Sequence, residues 1–260
     1  DITWFDGGKL NITENCLDRH LATRGDKEAL VFVANDANES NQTFTYKQLH
    51  AQVCKTANML EAQGVKKGDR VCIYMAMVPE LMFTVLACAR IGAIHSVVFG
   101  GFSAQALAGR IEDAKCKLLV TSDGGLRGTK VTPLKNIVDD ALALEEASTI
   151  EKVIVHKRAG NEVTLKEGRD YWWHDLFVSA PEDHVAPQLD AQDPLFILYT
   201  SGSTGTPKGV QHSQAGYMVW AAYTFANVFQ VEEEDTVANT NSGGCRITKL
   251  IDHKNIDHAK

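Results

Sequence analysis

A segment rich in glycine and hydroxyl residues, Tyr199–Val210, reads YTSGSTGTPKGV. It follows the apolar run Pro194–Leu198, whose composition is typical of a buried strand. Glycines allow positive φ and let backbone amides approach a ligand closely, and successive amides in such turns form an anion-binding nest. Lys208 adds a mobile positive charge that suits phosphate. The segment therefore predicts a strand that carries a hydroxyl-rich loop to a polyphosphate.

The lysine of this loop does not have the setting of the common P-loop. That motif places Gly-Lys-Ser/Thr at the start of a helix, whereas Lys208 lies between Pro207 and Gly209. The proline stiffens the end of the loop, and no helix is expected to begin on the lysine. A polar connector between a strand and a helix is the simpler alternative. The complete string with its Pro-Lys-Gly ending favours phosphate binding.

Predicted strands and helices alternate along most of the chain. Thr45 and Gln48 form a capping-box pair, which predicts a helix that runs to about Gln63 and stops at Gly64. Caps, proline positions and apolar periodicity predict further helices over residues 79–91, 103–114, 133–144 and 213–229, the last of them amphipathic. Strands are predicted over residues 70–75, 94–99, 117–121, 151–155 and 194–199, and a loop or hairpin over 160–167.

This alternation indicates an α/β fold with largely parallel sheets flanked by helices. In such sheets ligands bind beyond the carboxyl ends of the strands. Two glycine-rich sites, Gly100–Gly101 and Gly202–Gly205, each follow a predicted strand. We therefore expect both of them at the ligand-binding edge of the sheet.

Charge and cysteine content exclude several classes of protein. The net charge of -7 and the absence of a basic segment argue against nucleic-acid binding. The six cysteines are scattered without a CxxC pair, which predicts a reducing, cytoplasmic location rather than a disulfide framework or a zinc site. The most apolar stretch, Leu81–Phe102, is interrupted by Arg90 and His95. It therefore predicts a buried helix and strand, and no membrane span.

The dodecapeptide resembles the phosphate loop of the adenylate-forming superfamily. Three further segments resemble acetyl-CoA synthetases within it: ITWFDGGKLNITENCLDRHL at Ile2–Leu21, SVVFGGFS at Ser96–Ser103 and GRDYWWHDL at Gly168–Leu176. The likeness runs almost continuously from Ile2 to about Thr240. It implies an incomplete N-terminal part of the large domain of an adenylate-forming, AMP-binding enzyme.

The resemblance also implies a reaction. In that family acetate attacks the α-phosphate of Mg-ATP to give acetyl-AMP and pyrophosphate, and the coenzyme A thiol then takes the acetyl group. Acetate, ATP and coenzyme A are thus the implied small-molecule partners, with Mg²⁺ accompanying ATP. We assign no protein ligand to the metal and no catalytic general base. The residues implied to hold the ATP phosphates are Thr200, Ser201, Gly202, Ser203, Thr204, Gly205 and Lys208.

The resemblance implies a second site, for coenzyme A. In the family, the segment that matches Phe99–Gly101 borders the coenzyme A nucleotide, and the segment that matches Arg127–Lys130 supplies basic groups to its phosphates. Lys130 departs from the family pattern, which usually has arginine; lysine keeps the charge but loses the bidentate fork. Without the resemblance, the glycines form a tight turn and the basic residues a solvated turn. The residues implied for coenzyme A are Phe99, Gly100, Gly101, Arg127, Gly128, Thr129 and Lys130.

The other aromatic and histidine residues are predicted to pack rather than to react. His95 lies between apolar residues and predicts a satisfied core histidine, and the Trp172–Trp173 pair predicts a packing anchor. His212 follows the loop, where capping or packing explains it as well as function does. His253 and His258 are five residues apart and do not share a helix face well, so they predict no metal site.

The last 20 residues differ from the rest. Residues 241–260 read NSGGCRITKLIDHKNIDHAK and have four basic against two acidic side chains, whereas the whole chain has a net charge of -7. We therefore predict a partial domain over residues 1–240 and a divergent tail over 241–260, which is foreign, discontinuous or natural sequence. The family's acid pocket and later motifs have no counterpart here. Two alternatives stay open: an inactive truncated nucleotide-binding module, and a ligase for propionate or another short acyl acid.

Overall fold

A computed structural model gives the fold of the chain. It describes residues 5–34, 38–127, 129–147, 149–201, 205, 207–230, 236–238 and 245–248. The α-helices are α1 (Ile12–Cys16), α2 (Leu21–Arg24), α3 (Tyr46–Ala62), α4 (Pro79–Ile91), α5 (Ala104–Ala114), α6 (Leu134–Leu142), α7 (Trp173–Phe177) and α8 (Gln214–Asn227). Short 3-10 helices lie at Asp18–His20 and Glu145–Ala147.

The strands of the described residues fall into four sheets. They are β1 (Lys9–Leu10), β2 (Glu28–Phe32), β3 (Gln42–Thr45), β4 (Arg70–Tyr74), β5 (Ile94–Val97), β6 (Leu118–Ser122), β7 (Gly125–Arg127), β8 (Lys130–Thr132), β9 (Lys152–His156), β10 (Asp170–Trp172), β11 (Leu189–Asp190), β12 (Pro194–Thr200), β13 (Lys208–Ser213), β14 (Thr236–Ala238) and β15 (Cys245–Thr248). The main sheet has seven strands in the order β10-β9-β6-β4-β5-β12-β13. The smaller sheets are β14-β15-β2-β3, β1-β11 and β7-β8.

The main sheet is parallel except for its edge strand β13, which runs antiparallel to β12. Helices cover both of its faces. Val71 and Ile73 of β4 point into a core shared with α3 and α4, whereas Cys72 and Tyr74 point into a core shared with α5 and α6. This alternation is the period of two expected of a strand buried on both sides. The predicted α/β class with a largely parallel, helix-flanked sheet is confirmed.

Two helix boundaries show how the local sequence sets the fold. The Thr45 hydroxyl accepts the amide of Gln48, while the Gln48 side chain accepts the amide of Thr45, so the predicted capping box is formed. Helix α4 begins at Pro79 and ends at Ile91, and the next residue, Gly92, has a φ of 84°, the left-handed value that favours glycine. These residues therefore fix where α3 begins and where α4 begins and ends.

The structure differs from the sequence prediction in several elements. Strands β10 and β13 and the β7-β8 hairpin were not predicted, and β5 ends at Val97, before the predicted end at residue 99. Residues 160–167 form a loop, which is one of the two predicted alternatives. Helix α8 is apolar on its outer side too, since Trp220 is 68% exposed and Tyr223 is also exposed. The expected amphipathic pattern of α8 is therefore wrong.

Part of the predicted tail takes part in a sheet. Strand β15 pairs antiparallel with β2 and with β14, and Arg246 lies opposite Val31. The division of the chain at residue 240 stays a prediction. His253 and His258 lie outside the described residues.

A partly buried ion pair joins the N-terminal segment to helix α4, which packs on the main sheet. Arg90 of α4 is 2% exposed, and its guanidinium donates to both carboxylate oxygens of Asp18 at 2.8 and 3.0 Å. It also donates to the carbonyl of His184 at 2.6 Å. His50 of α3 lies 3.4 Å from Asp18 through its Nε2 atom. One cluster thus links α3, α4, the N-terminal segment and the segment before β11.

This cluster predicts a pH-dependent stability. The hydrogen bond to Asp18 raises the pKa of His50 to about 9. A raised pKa in the folded state means that protonated His50 stabilises the fold fully below its unfolded pKa of about 6.5, and that this stabilisation is lost as the pH rises towards 9. We expect the free energy of unfolding to fall by roughly 1–3 kcal/mol over this range. Urea unfolding at a series of pH values measures it.

The matched variant for this measurement is His50→Gln, which cannot titrate. Burial favours a raised pKa for Asp18, but hydrogen bonds from His50 and Arg90 outweigh burial and hold that pKa well below its usual range. Asp18 therefore contributes a loss of stability only in acid, outside the tested window. An equal fall between pH 6.5 and 9 in the wild-type chain and the variant contradicts the assignment to His50.

Candidate functional site

Both glycine-rich segments lie at one edge of the main sheet. Strands β5 and β12 are parallel neighbours, with His95 opposite Phe196. The Phe99–Gly101 turn follows the carboxyl end of β5, and the loop that begins at Ser201 follows the carboxyl end of β12. The expectation that both segments lie beyond carboxyl strand ends is confirmed.

The predicted phosphate loop joins two antiparallel strands. Thr200, the last residue of β12, pairs with Lys208, the first residue of β13. Residues directly opposite in an antiparallel pair project from the same face, so both side chains share one side of the hairpin. Lys208 therefore begins a strand, and helix α8 begins only at Gln214. Gly202, Ser203 and Thr204 lie outside the described residues.

The described part of this loop is open to a ligand. Thr200, Ser201, Gly205 and Lys208 are exposed. Gly205 has a φ of +81°, which other residues rarely adopt, and a Cβ added there meets nothing within 4 Å. No carboxylate of the described residues lies within ion-pair distance of the Lys208 ammonium. The loop therefore presents hydroxyl groups and one positive charge at the hairpin end, a donor set that fits a polyphosphate.

The turn after β5 is held from below by Tyr74, the last residue of β4. Its hydroxyl lies 2.8 Å from the carbonyl of Phe102 and 3.2 Å from that of Gly100. The Phe102 amide closes the turn on the Phe99 carbonyl at 3.0 Å. A Cβ on Gly101 would lie 2.4 Å from the Phe99 ring. A side chain at position 101 would therefore displace the Phe99 ring, which the turn presents with 54% of its surface exposed.

The basic hairpin β7-β8 lies beside this turn. Arg127 pairs with Lys130 across the two strands, and Thr129 and Lys130 are exposed. A Cβ on Gly100 or on Gly125 would lie 3.3 Å from the Leu134 side chain, so the turn and the hairpin pack on the same leucine. Gly128 and the side chain of Arg127 lie outside the described residues. The two predicted coenzyme A segments are therefore brought together by their backbones.

Asp123 fixes the start of this hairpin. Its carboxylate is fully buried at the end of β6 and accepts the amides of Gly124, Arg158, Ala159 and Gly160 at 2.7 to 2.9 Å. It thereby ties the hairpin to the segment after β9. Sequence reasoning missed Asp123 and Tyr74. The Asp-Gly-Gly string indicates a turn, but nothing in the local sequence indicates which backbone amides donate hydrogen bonds to the carboxylate.

A large apolar cavity lies on the β12-β13 side of the sheet. Its volume is about 980 Å³, and it is lined by His95, Phe196, His212, Tyr217 and Trp220 among others, but not by Thr200 or Lys208. The Phe196 ring stacks on His212 at 4.4 Å and on His95 at 5.4 Å between ring centres. The cavity is thus apolar and separate from the described loop residues, and we assign no chemistry to it.

The histidine and tryptophan predictions are mostly confirmed. His95 is buried, and burial lowers its pKa to about 4, but its Nδ1 atom has no hydrogen-bond partner among the described residues. The expectation of a satisfied side chain is therefore wrong. His212 packs against Phe196, and Trp173 is buried against Phe177 with ring centres 5.6 Å apart.

The described part of the chain contains neither a metal-binding cluster nor a membrane-spanning helix. No group of three or more His, Cys, Asp or Glu side chains is arranged to hold a metal ion there. Among the same residues, no helix combines the length and apolar character needed to cross a membrane.

The sequence of the chain matches one enzyme family. Residues 17–243 match the family model of the AMP-binding enzymes, and the chain belongs to this family. The chain is 53% identical to the acetyl-coenzyme A synthetase of Vibrio cholerae serotype O1 over 235 residues, which cover 90% of this chain and 36% of the relative. It is 54% identical to the acetyl-coenzyme A synthetase of Yersinia pestis over 234 residues, with the same shares covered.

A solved structure supports the same placement. The acetoacetyl-CoA synthetase from Streptomyces lividans superposes with a TM-score of 0.80 at 30% sequence identity, over 90% of this chain and 35% of that chain. The chain thus spans about a third of the length of the relatives it matches.

Proposed function

We propose that the chain is the N-terminal part of an AMP-forming acetate–CoA ligase. In the complete enzyme, acetate attacks the α-phosphate of ATP to give acetyl-AMP and pyrophosphate, and the coenzyme A thiol then attacks acetyl-AMP to give acetyl-CoA and AMP. The observation that carries this proposal is the position of the hydroxyl-rich hairpin loop and the Phe99–Gly101 turn beyond two adjacent parallel strands. The relatives named acetyl-coenzyme A synthetase support acetate as the acid.

The loop would hold the β- and γ-phosphates of ATP so that pyrophosphate is in line to leave. Thr200, Ser201, Ser203 and Thr204 offer hydroxyl donors, while Gly202 and Gly205 let backbone amides approach. Lys208 supplies the charge from the first position of β13. This is catalysis by positioning and electrostatic stabilisation. Mg²⁺ bound with ATP would share the phosphate charge.

Coenzyme A would bind across the turn and the basic hairpin. Phe99 offers an exposed ring on which a planar base can stack, and Gly100 and Gly101 keep the backbone close to it. Arg127 and Lys130 would meet the phosphates, with Gly128 and Thr129 between them. Tyr74 and Asp123 would support these groups from inside the fold without touching the ligand.

Two alternatives remain. The chain alone would be a non-catalytic nucleotide-binding module, because it spans about a third of its relatives. A complete enzyme acting on another short acyl acid is favoured by the similarity to an acetoacetyl-CoA synthetase, and propionate belongs to the same class. We further propose a cytoplasmic location, which five free and buried cysteines among the described residues support, and no nucleic-acid partner.

A chimera tests the main proposal. Residues 2–240 replace the matching segment of the Vibrio cholerae acetyl-coenzyme A synthetase, and acetate-dependent pyrophosphate exchange is measured. We expect a rate within about tenfold of the parent enzyme, which is about 1.4 kcal/mol of barrier. A folded chimera without exchange contradicts the proposal. The purified 260-residue chain should bind Mg-ATP in calorimetric titration, and exchange by that chain alone contradicts the alternative of a non-catalytic module.

A second prediction concerns the stacking of the Phe99 ring on the base of coenzyme A. In the chimera, Phe99→Ala should raise the KM for coenzyme A roughly tenfold, because base–aromatic stacking contributes about 1–3 kcal/mol. Pyrophosphate exchange precedes the use of coenzyme A and should stay unchanged. Tyr223→Ala is the matched control, since it removes an equally exposed ring from α8. An unchanged KM for coenzyme A in Phe99→Ala contradicts the stacking role.

A further inference from the structure

Among the described residues, a helix covers the β12-β13 hairpin on only one face of the main sheet. On the α5 side, the Tyr199 hydroxyl donates to the Asp113 carboxylate at 2.6 Å, and the Arg110 guanidinium carbon lies 5.4 Å from the Tyr199 ring centre. On the other side, Leu198 of β12 is 51% exposed, and its partner Val210 of β13 is 42% exposed. The hairpin therefore leaves an apolar pair uncovered on the side where α4 and α8 lie.

This uncovered face is the floor of the apolar cavity of about 980 Å³ beside β12. Side chains of α4 form one wall of the cavity, and side chains of α8 form the other. The Tyr217 ring of α8 meets the Phe196 ring of β12 edge to face, with centres 4.8 Å apart, and closes one end of the floor. We call this groove the α4–α8 trough; its lining residues include Met82, Val85, Leu198, Tyr217, Trp220 and Phe225.

Two properties of the trough decide what can cover it. No lining residue of the described part of the chain is Asp, Glu, Lys or Arg, so the trough offers no ion pair to a charged peptide, a nucleotide or a lipid headgroup. Parallel sheets normally have helices on both faces, and β4 in the same sheet has a packed core on each side. The trough therefore fits the apolar face of a helix, which would lie between two helices and on the sheet.

The relatives of the chain offer a source for such a helix. The chain covers 36% of the Vibrio cholerae synthetase and 35% of the Streptomyces lividans structure, so most of each relative lies outside the matched segment. Thr200 and Lys208 continue the floor beyond Leu198 and Val210, because residues two apart in a strand project from the same face. A segment docked in the trough would therefore lie beside the phosphate loop.

We propose that the α4–α8 trough is the docking surface for an apolar-faced helix from the part of the ligase that follows the matched segment. This inference rests on the proposed function, which makes the chain the N-terminal part of a ligase. Trp220 is the expected anchor, because tryptophan side chains that become desolvated at an interface contribute much of its binding energy. The Trp220 side chain is 68% exposed and lines the trough.

Binding between two separate chains tests the docking. The full 260-residue chain is co-expressed with the part of the Vibrio cholerae acetyl-coenzyme A synthetase that follows its matched segment, and the dissociation constant of the purified pair is measured. We expect Trp220→Glu to weaken binding at least about tenfold, because it places a charge in an apolar interface. Val185→Glu is the matched control, since Val185 is 90% exposed and lies outside the trough, and it should leave binding unchanged.

The chimera described above gives a second measurement that needs no separate fragment. The fluorescence that Trp220→Phe removes is compared with and without acrylamide, a quencher that reaches exposed rings. This difference signal should be strongly quenched in the 260-residue chain, where Trp220 is exposed, and several-fold less in the chimera, where the docked segment covers it. Trp173 is the internal control, because its ring is already buried in the chain, so its signal should be weakly quenched in both proteins.

The outcomes separate the docking from the proposed function. Equal affinities of Trp220→Glu and Val185→Glu, or a Trp220 ring equally accessible in the chain and the chimera, overturn the docking. A dimer of the 260-residue chain that Trp220→Glu dissociates would assign the trough to a second copy and also overturns it. Pyrophosphate exchange by the chimera in these cases leaves the proposed function in place. An inactive chimera with Trp220-dependent binding supports the docking and counts against the proposed function alone.

Discussion

Replacing Lys208 by alanine is expected to lower acetate-dependent pyrophosphate exchange of the chimera about 10²–10³-fold, the loss typical of one electrostatic contact in a transition state. Lys208 begins β13 opposite Thr200, so its backbone position is set by strand pairing and survives the substitution. Its side chain is exposed. The free energy of unfolding should therefore stay within about 0.5 kcal/mol of the wild-type value.

Lys157→Ala is the matched control, since Lys157 is an exposed lysine outside both loops. Lys208→Arg keeps the charge and should retain more exchange than the alanine variant, with the remaining loss due to the altered geometry of the donor. Exchange in Lys208→Ala equal to that of Lys157→Ala would remove Lys208 from the phosphate site. A loss of exchange accompanied by unfolding would assign it a structural role.

Replacing Arg90 by methionine is expected to lower the free energy of unfolding by about 1.5–3 kcal/mol, the contribution typical of hydrogen bonds to a charged group, because the Asp18 carboxylate is partly exposed and keeps His50 as a partner. Methionine keeps much of the apolar stem but removes both hydrogen bonds to Asp18 and the donor for the His184 carbonyl. Native domains are stable by only about 5–15 kcal/mol. Urea unfolding measures the loss.

The double variant Arg90→Met with Asp18→Asn tests the cause. Removing the second charge should recover part of the stability, because in Arg90→Met the partly buried Asp18 carboxylate is held by His50 alone. Lys9→Met breaks the exposed pair with Asp190 and should cost no more than about 1 kcal/mol. A double variant that is as unstable as the two single losses added together would show that the charge pair does not explain the effect.

The elements that could be predicted are those whose signals are local. Thr45 and Gln48 satisfy each other's backbone within one turn, and Gly92 ends α4 because it alone adopts the left-handed value without strain. Strand β13 could not be predicted in the same way. Its sequence KGVQHS has little apolar alternation and leaves most side chains exposed. Its strand conformation comes from pairing with β12, which is a property of the fold and not of the segment.

The candidate site also has parts that the local sequence predicts and parts that only the fold determines. The two glycine-rich segments could be placed at one edge because parallel strands bring their carboxyl ends together. The residues that hold these segments could not, since Tyr74, Arg110 and Asp123 act through partners distant in the chain. The sequence around each of these residues contains no signal for its distant partner. The apolar outer side of α8 was also missed, because a helical pattern does not tell which side the rest of a protein covers.

The insertion of β12 beside β5 has a consequence for folding. Strands β4, β5, β6, β9 and β10 pair with neighbours close in the chain, whereas β12 at residues 194–200 must return to β5 at residues 94–97. Contacts of long sequence separation close late, because the loop entropy must be overcome first. The edge that carries both loops is then among the last parts of the sheet to assemble. The ability to bind nucleotide would accordingly develop only after the rest of the sheet has formed, and its rate of appearance during refolding would report that final step.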